Sequence, residues 1–521
     1  MPTRTDSRHS DSACAKTKSP KVRRTREETL DPDDWYEVRR LGHRMLDDMM
    51  DYLSSVRQRP VWQAVPPEVK QSLSAPVPYQ PCALESVYSD FKRQILPYPT
   101  GNIHPRFWGW IMGTGTPVAM LAEMLAAGMN SWAGGFDQSA TLVEEQVLSW
   151  LTEMLGFPQG TSGVLTSGCT VANVIGLAVA RHAKAPFDVR REGLQNQTHA
   201  PLVIYCSSEA HGWAQKAVEL IGLGDNSLRR VPVDSSFRIE VSALRAAIQA
   251  DRKNGKTPFC VIATAGTVNT GAVDPLQELS AICREEGLWF HIDGAFGALV
   301  TLSPKWRNKV AGLELADSLG FDLHKWMYIP FEAGCVLVRD GEAHRSTFQI
   351  APSYMSSQGR GVAPREPEFA ALGIDLARNF KALKVWFSLK THGTLKYGRL
   401  IEQNIEQAQY LASQIKKNPR LQLLAPVELN VVCFRYNPGL SDESELNRMN
   451  EELLIRIQES GVAVPSGTRV SGRFAIRVAV TNHRSTRADF RLFVNQVLKL
   501  GRDLQGEDGQ LETERAPNAV L

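Results

Sequence analysis

The sequence predicts an α/β protein: a mainly parallel sheet in one large domain, preceded by an N-terminal helical arm and followed by a small α+β domain. Three observations carry this expectation. From about residue 140 to residue 340, segments of helical periodicity alternate with short apolar runs, the pattern that crossovers between parallel strands produce. Polar, glycine-containing stretches follow several of those runs, at the strand ends where ligands collect in such sheets. A chain of 521 residues, 43% hydrophobic and 22% charged, is also long enough for one large core with appended domains.

The elements follow in order. Residues 1–29 are polar and basic, with no apolar segment of the kind a secretory signal needs, and read as a disordered tail that includes the run KVRRTR. Residues 30–115 read as a helical arm. Trp35, Val38, Leu41, Met45, Met49, Leu53 and Val56 recur at steps of three and four along one helix face. The prolines of RPVWQAVPPEV and APVPYQPCA then argue against regular helix. An arm with so little to fold against is expected to wrap a partner subunit.

Residues 116–400 form the expected large domain. TLVEEQVLSWLTEML, VSALRAAIQADRKNG and PLQELSAICREEG read as helices, while PLVIYCSS, PFCVIATAG, LWFHID and GCVLVRD read as buried strands. Over residues 401–503, IEQNIEQAQYLASQIKKNP and ELNRMNEELLIRIQESG are helical, LQLLAPVELNVVCFRYNP holds a long strand or strand pair, and GRFAIRVAVTNHRST adds another. Residues 504–521 read as a second loose tail.

Composition excludes several functions. A net charge of +3 over the whole chain argues against nucleic acid as the main partner. No apolar run reaches the ~20 residues of a membrane-spanning helix. Eight cysteines without a CxxC pair suggest reduced thiols in the cytoplasm rather than a disulfide scaffold or a metal site.

Single residues are ambiguous. TSGCTVAN is a turn entering a helix, able to hold a phosphate on free amides or merely to cap the helix. His211 fits a structural role equally well. Asp293 ends an apolar strand, where an unpaired carboxylate is expensive and calls for a cation or donor. Lys325, in DLHKWMYIP, could snorkel to solvent. Together, a phosphate cradle, a ring-facing histidine, a buried carboxylate and a lysine match the needs of pyridoxal 5'-phosphate. Its aldehyde requires an amine, and its pyridine nitrogen draws electrons only while protonated opposite an acid. The apolar flank of Lys325 is expected to favour the neutral, nucleophilic amine.

In their order and spacing, TSGCTVAN, SSEAHGWAQKA, TAGTVNTGAVDP, HIDGAFG and ADSLGFDLHKW resemble the group II pyridoxal-phosphate-dependent decarboxylases of fold type I, which include aromatic-L-amino-acid decarboxylase. The resemblance runs from about Asp31 to residue 500. It implies that Lys325 carries the cofactor with His324 beside it, that Asp293 pairs with the ring nitrogen, and that Ala295 and His211 pack on opposite ring faces. It places Gly168, Cys169 and Thr170 at the phosphate and Thr267 near the substrate carboxylate. It further implies a homodimer with shared active sites and decarboxylation of an L-amino acid to an amine.

Departures from the family pattern set the open questions. Cys169 stands where many relatives have a second glycine in the cradle. A loop tyrosine that the animal enzymes supply from the neighbouring subunit aligns with Phe369, a change that relatives associate with oxidative deamination to an aldehyde. Trp108, Trp110 and Ile111, in HPRFWGWIMGTGTP, align with the segment lining the side-chain pocket. They favour an aromatic substrate, unless the tryptophans are interface core. An acidic substrate would lean on Arg106. Arg477 either approaches the site or is a surface charge. An aminotransferase and a non-catalytic homologue are the rival classes.

Overall fold

The computed structural model describes residues 27–195, 199–350, 353–364 and 368–515. Residues 1–26 and 516–521, which hold most of the first expected tail and the end of the second, lie outside the described residues. The chain divides into two compact units, one comprising residues up to Gln58 together with Trp62–Thr100, the other Arg59–Val61 with residues from Gly101 onward.

The smaller unit is led by the helix Trp35–Ser54, whose first turn is capped by the Asp34 carboxylate accepting from the Tyr36 and Glu37 amides. Of this helix only Leu41 is buried. Asp48 ties it to the following segment by accepting from Tyr88 Oη at 2.5 Å and Lys92 Nζ at 2.8 Å. Contrary to the expectation from its prolines, RPVWQAVPPEV contains a short helix, Pro67–Ser72. Pro67 stands at its first position, where the missing N–H has no partner to lose.

The larger unit is built on a seven-stranded sheet. Its strands are β1 (Ser162–Thr166), β2 (Leu202–Ser207), β3 (Leu228–Val231), β4 (Thr257–Thr264), β5 (Trp289–Asp293), β6 (Ser318–Asp322) and β7 (Gly334–Val338), ordered β1-β7-β6-β5-β4-β2-β3. β2 to β6 are parallel, and β7 runs antiparallel between β1 and β6. The strands read from the sequence are present. β1, β3 and β6 were not separable by pattern, because SGVLT, LRRV and SLGFD are too short or too polar to show a period. A second, antiparallel sheet of β8 (Leu421–Leu423), β9 (Val431–Tyr436), β10 (Ser466–Val470) and β11 (Arg473–Ala479) has the order β10-β11-β9-β8. The last helix spans Arg487–Arg515, extending into the stretch expected to be a loose tail from residue 504.

The helix Cys169–Lys184 packs on the middle of the large sheet, and its small residues Ala172, Gly176, Ala178 and Ala180 are buried together. Asn173 Oδ1 on this helix accepts from His291 Nε2 (3.0 Å), while Ser318 Oγ meets His291 Nδ1 at 2.8 Å. No helix among the described residues is long and apolar enough to cross a membrane.

Burial pushes the pKa of His291 down to about 3, so the folded protein holds this ring neutral. A depressed base contributes stability above its unfolded pKa of ~6.5, and that stability is lost as pH falls from there toward 3. Each titrating proton is worth ~1.4 kcal/mol per pH unit. His291→Gln is therefore expected to flatten the fall in unfolding free energy from pH 6.5 to 5 by up to that slope; denaturant unfolding at a series of pH values checks this.

Candidate active site

The parallel strands β2, β4, β5 and β6 end at one edge of the sheet, and a cavity of about 390 Å³ opens there. Asp293 is the last residue of β5 and Asp322 the last of β6. Lys325 follows on the single helical turn Leu323–Trp326. Because β7 is antiparallel, its first residue, Gly334, returns to the same edge. A Cβ on Gly334 would lie 2.6 Å from the Gly168 backbone, so only glycine lets β7 pass this close to the start of the helix Cys169–Lys184.

The charged groups lie on the cavity floor. Lys325 Nζ is 2.9 Å from Asp322 Oδ2, and the Cys169 amide donates to Asp322 Oδ1 at 2.7 Å. Asp322 thus caps the helix N-terminus, where the helix dipole favours an anion. Burial of the ammonium pulls the Lys325 pKa down, but Asp322 and, more weakly, Asp293 outweigh it, and the net shift is upward. The expectation that apolar surroundings leave Lys325 neutral is therefore corrected: in this state it is an ammonium.

Asp293 is buried, at 4% exposure. Its Oδ1 accepts from the Ala295 amide at 3.0 Å and from Cys169 Sγ at 3.5 Å, and its Oδ2 accepts from the Trp213 indole N–H. His211 faces the cavity, and its Nδ1 accepts from the Trp213 amide at 3.1 Å. The neutral ring consequently carries its proton on Nε2. Desolvation lowers its pKa against the opposing pull of Asp293. His324 is buried, its Nδ1 donates to the Ala333 carbonyl at 2.9 Å, and burial lowers its pKa too.

Of the residues read from sequence, Gly168, Cys169, Thr170, His211, Asp293, Ala295, His324, Lys325, Trp110 and Ile111 all line this cavity. Trp110 and Ile111 both adopt left-handed backbone, with φ of 53° and 58°. That costs of order 1–3 kcal/mol per residue and is typical of constrained functional walls. Two expectations are not met by the geometry. Trp108 is buried in the second core, stacked on Phe490 at 4.6 Å with its indole donating to Ser485. Thr267 turns away from the cavity, its hydroxyl meeting Thr270 Oγ1 at 3.0 Å and accepting from the Ala272 amide. Phe369, expected to act from a loop toward the neighbouring subunit's site, is buried in its own chain under the Arg378 guanidinium. Arg477 is neither a surface charge nor a cavity residue. It is buried in β11 and donates to the Asn269 carbonyl and to Ser466. Sequence reading passed over Asp322, Trp213, Thr264, Phe296 and Glu332, which also line the cavity. The only signal for Asp322 and Trp213 was their place inside quoted motifs.

These residues fit pyridoxal phosphate. Lys325 can take the aldehyde, Asp293 presents a carboxylate with donors on both oxygens, and the Gly168–Thr170 turn opens a 16-residue helix able to receive a phosphate. One feature was not anticipated: a carboxylate, Asp322, already shares that helix end.

Residues 66–437 match the model of the pyridoxal-dependent decarboxylase conserved domain. The aromatic-L-amino-acid decarboxylase of Bacillus atrophaeus is 32% identical over 474 residues, covering 90% of this chain and 96% of that protein. The phenylacetaldehyde synthase of Petunia hybrida is 30% identical over 470 residues, covering 87% and 91%. A solved structure of Oryza sativa TDC with PLP and tryptamine is similar with a TM-score of 0.84 at 25% identity, covering 91% of this chain and all of that one.

Replacing Asp322 by Asn should remove the main force holding Lys325 protonated. In cofactor-free protein, the pH midpoint for acylation of Lys325, read by peptide mass spectrometry, is expected to move to lower pH; an unmoved midpoint would contradict the ion-pair account.

Proposed function

We propose that this chain, which belongs to the pyridoxal-dependent decarboxylase family, removes the carboxylate of an aromatic L-amino acid and releases the amine. The observation that carries the reading is the composition of the cavity: Lys325, Asp293 and His211 converge, and no arginine lines it among the described residues. A substrate carboxylate there is not clamped by a guanidinium, which favours its departure and separates this site from the usual aminotransferase arrangement.

Pyridoxal phosphate, when bound, supplies an electrophilic aldehyde and a ring that draws electrons from the substrate Cα. The protein's residues do the rest. Lys325 would provide the amine that holds the cofactor. Asp293 would face the ring nitrogen, the Gly168–Thr170 turn at the helix N-terminus would receive the phosphate, and His211 would pack on the ring. The Cα–carboxylate bond breaks, its electron pair stays at Cα, and a proton replaces carbon dioxide. The Lys325 ammonium and the His211 Nε2–H are the groups placed to deliver that proton.

An aromatic side chain is supported by the wall. Trp110, half-exposed at the cavity, stands with Ile111, Phe296 and Val268, surfaces that suit a planar apolar group. Two relatives point the same way: the Bacillus atrophaeus protein is called an aromatic-L-amino-acid decarboxylase and the Petunia hybrida one a phenylacetaldehyde synthase. The second name keeps aldehyde formation, with oxygen consumed and peroxide released, as the alternative product branch.

A homodimer is supported by the surface of the helix Pro117–Met129, on which Met124, Leu125 and Met129 stand about half exposed. An apolar face of this kind suits a subunit contact. Six of the described cysteines, Cys169, Cys206, Cys260, Cys283, Cys335 and Cys433, are buried thiols outside any disulfide, which suits a reducing compartment such as the cytoplasm.

Incubating the cofactor-loaded protein with a panel of L-amino acids should release carbon dioxide and equimolar amine from aromatic substrates, without peroxide. Aldehyde with peroxide would select the alternative branch, and amino-group transfer to an added keto acid would refute decarboxylation. Lys325→Ala is expected to lose the visible absorption of the bound cofactor and to slow turnover by about 10³-fold or more. Trp110→Ala should cost about tenfold in kcat/KM for an aromatic substrate, and much less for a small aliphatic one.

A further inference from the structure

Trp213 sits where two site residues meet. Its backbone N–H holds His211 Nδ1 at 3.1 Å, and its indole Nε1–H donates to Asp293 Oδ2 at 2.5 Å. The side chain is 4% exposed and packs edge-on against the neutral His291 ring, centroids 5.7 Å apart at 74°. As the first residue of the helix Trp213–Leu220, it is placed by regular backbone on one side and by the sheet on the other. It therefore has little freedom to move away from the carboxylate.

A buried tryptophan is ordinarily core, and packing alone would account for its burial. Packing does not account for the aim of the indole N–H. Indole has a single donor and no acceptor, and here that donor is spent on the one carboxylate expected to face the cofactor ring. Ala295 and Cys169 serve the other oxygen. Without the indole, Oδ2 would have no partner from the protein among the described residues. Hydrogen bonds to a buried carboxylate favour its anion and fix its rotamer.

We propose that Trp213 is a positioning residue for the cofactor: its indole N–H holds Asp293 in the orientation and charge state that grip the ring nitrogen. This rests on the assignment of Asp293 to that nitrogen. Trp213 then contributes to binding only through ligands that carry a ring N–H, and does so without touching the phosphate or the aldehyde.

The test compares two ligands in cofactor-free protein by fluorescence titration: pyridoxal phosphate, and its analogue with carbon in place of the ring nitrogen. Wild type is expected to prefer the nitrogen-bearing form. Trp213→Phe, which keeps the bulk and removes the donor, should narrow that preference by about tenfold, and the visible band of bound pyridoxal phosphate should change in its pH dependence. The preference is a ratio within one protein, so general weakening of the fold cancels. Should Trp213→Phe not fold, Trp213→Leu takes its place with the same expectation, and Trp213→His, which retains a ring N–H, should keep most of the wild-type ratio. A ratio unchanged by Trp213→Phe overturns the proposal and leaves Trp213 as core. A wild type that fails to prefer the nitrogen-bearing form would instead remove the Asp293 assignment beneath it.

Discussion

Two carboxylates and one ammonium lie together on a buried floor, and the architecture around them is what makes that burial tolerable. Asp293 and Asp322 are each nearly inaccessible, while the Lys325 side chain is 21% exposed toward the cavity. Isolated charges at such depth would cost many kcal/mol. The fold meets this in two ways. Adjacent parallel strands β5 and β6 end at the same edge of the sheet, Asp293 level with Gly320 and Asp322 two residues beyond, so both acids arrive beside the N-terminus of the helix Cys169–Lys184, whose dipole favours anions. The turn after β6 then brings Lys325 back within 2.9 Å of Asp322. Close backbone approach is part of the same solution. A Cβ on Gly113 would stand 1.6 Å from the His324 carbonyl, so the strained Trp110–Ile111 segment reaches the cavity only by way of glycine.

The charge balance explains why the site suits its ligand. Asp322 pairs with Lys325, which leaves Asp293 as the carboxylate proposed to meet the ring nitrogen. The apolar residues around the ion pair keep water out and strengthen it.

Much of this was legible in the chain. Short apolar runs followed by polar turns gave the strand ends, and motif order gave Lys325, Asp293, His211 and the Gly168–Thr170 turn. What escaped depends on contacts distant in sequence. Trp108 and Trp110 are two residues apart, yet one joins the core formed with Phe490 and the other faces the cavity, because left-handed backbone at Trp110 turns the chain between them. Thr267 looked like a cavity residue from its motif, but the hairpin to Ala272 draws its hydroxyl inward. Asp322 read as one more strand residue; only the pairing of β6 beside β5 shows that it caps a helix beginning 153 residues earlier.

Attachment of the cofactor at Lys325 is the claim on which the account stands. Reducing the cofactor-loaded protein with borohydride and mapping the pyridoxyl-modified peptide tests it directly. The predicted result is a single modified site at Lys325 Nζ, in the peptide containing DLHKW. Modification at another lysine, such as Lys216 or Lys381, with Lys325 left unlabelled, would contradict it.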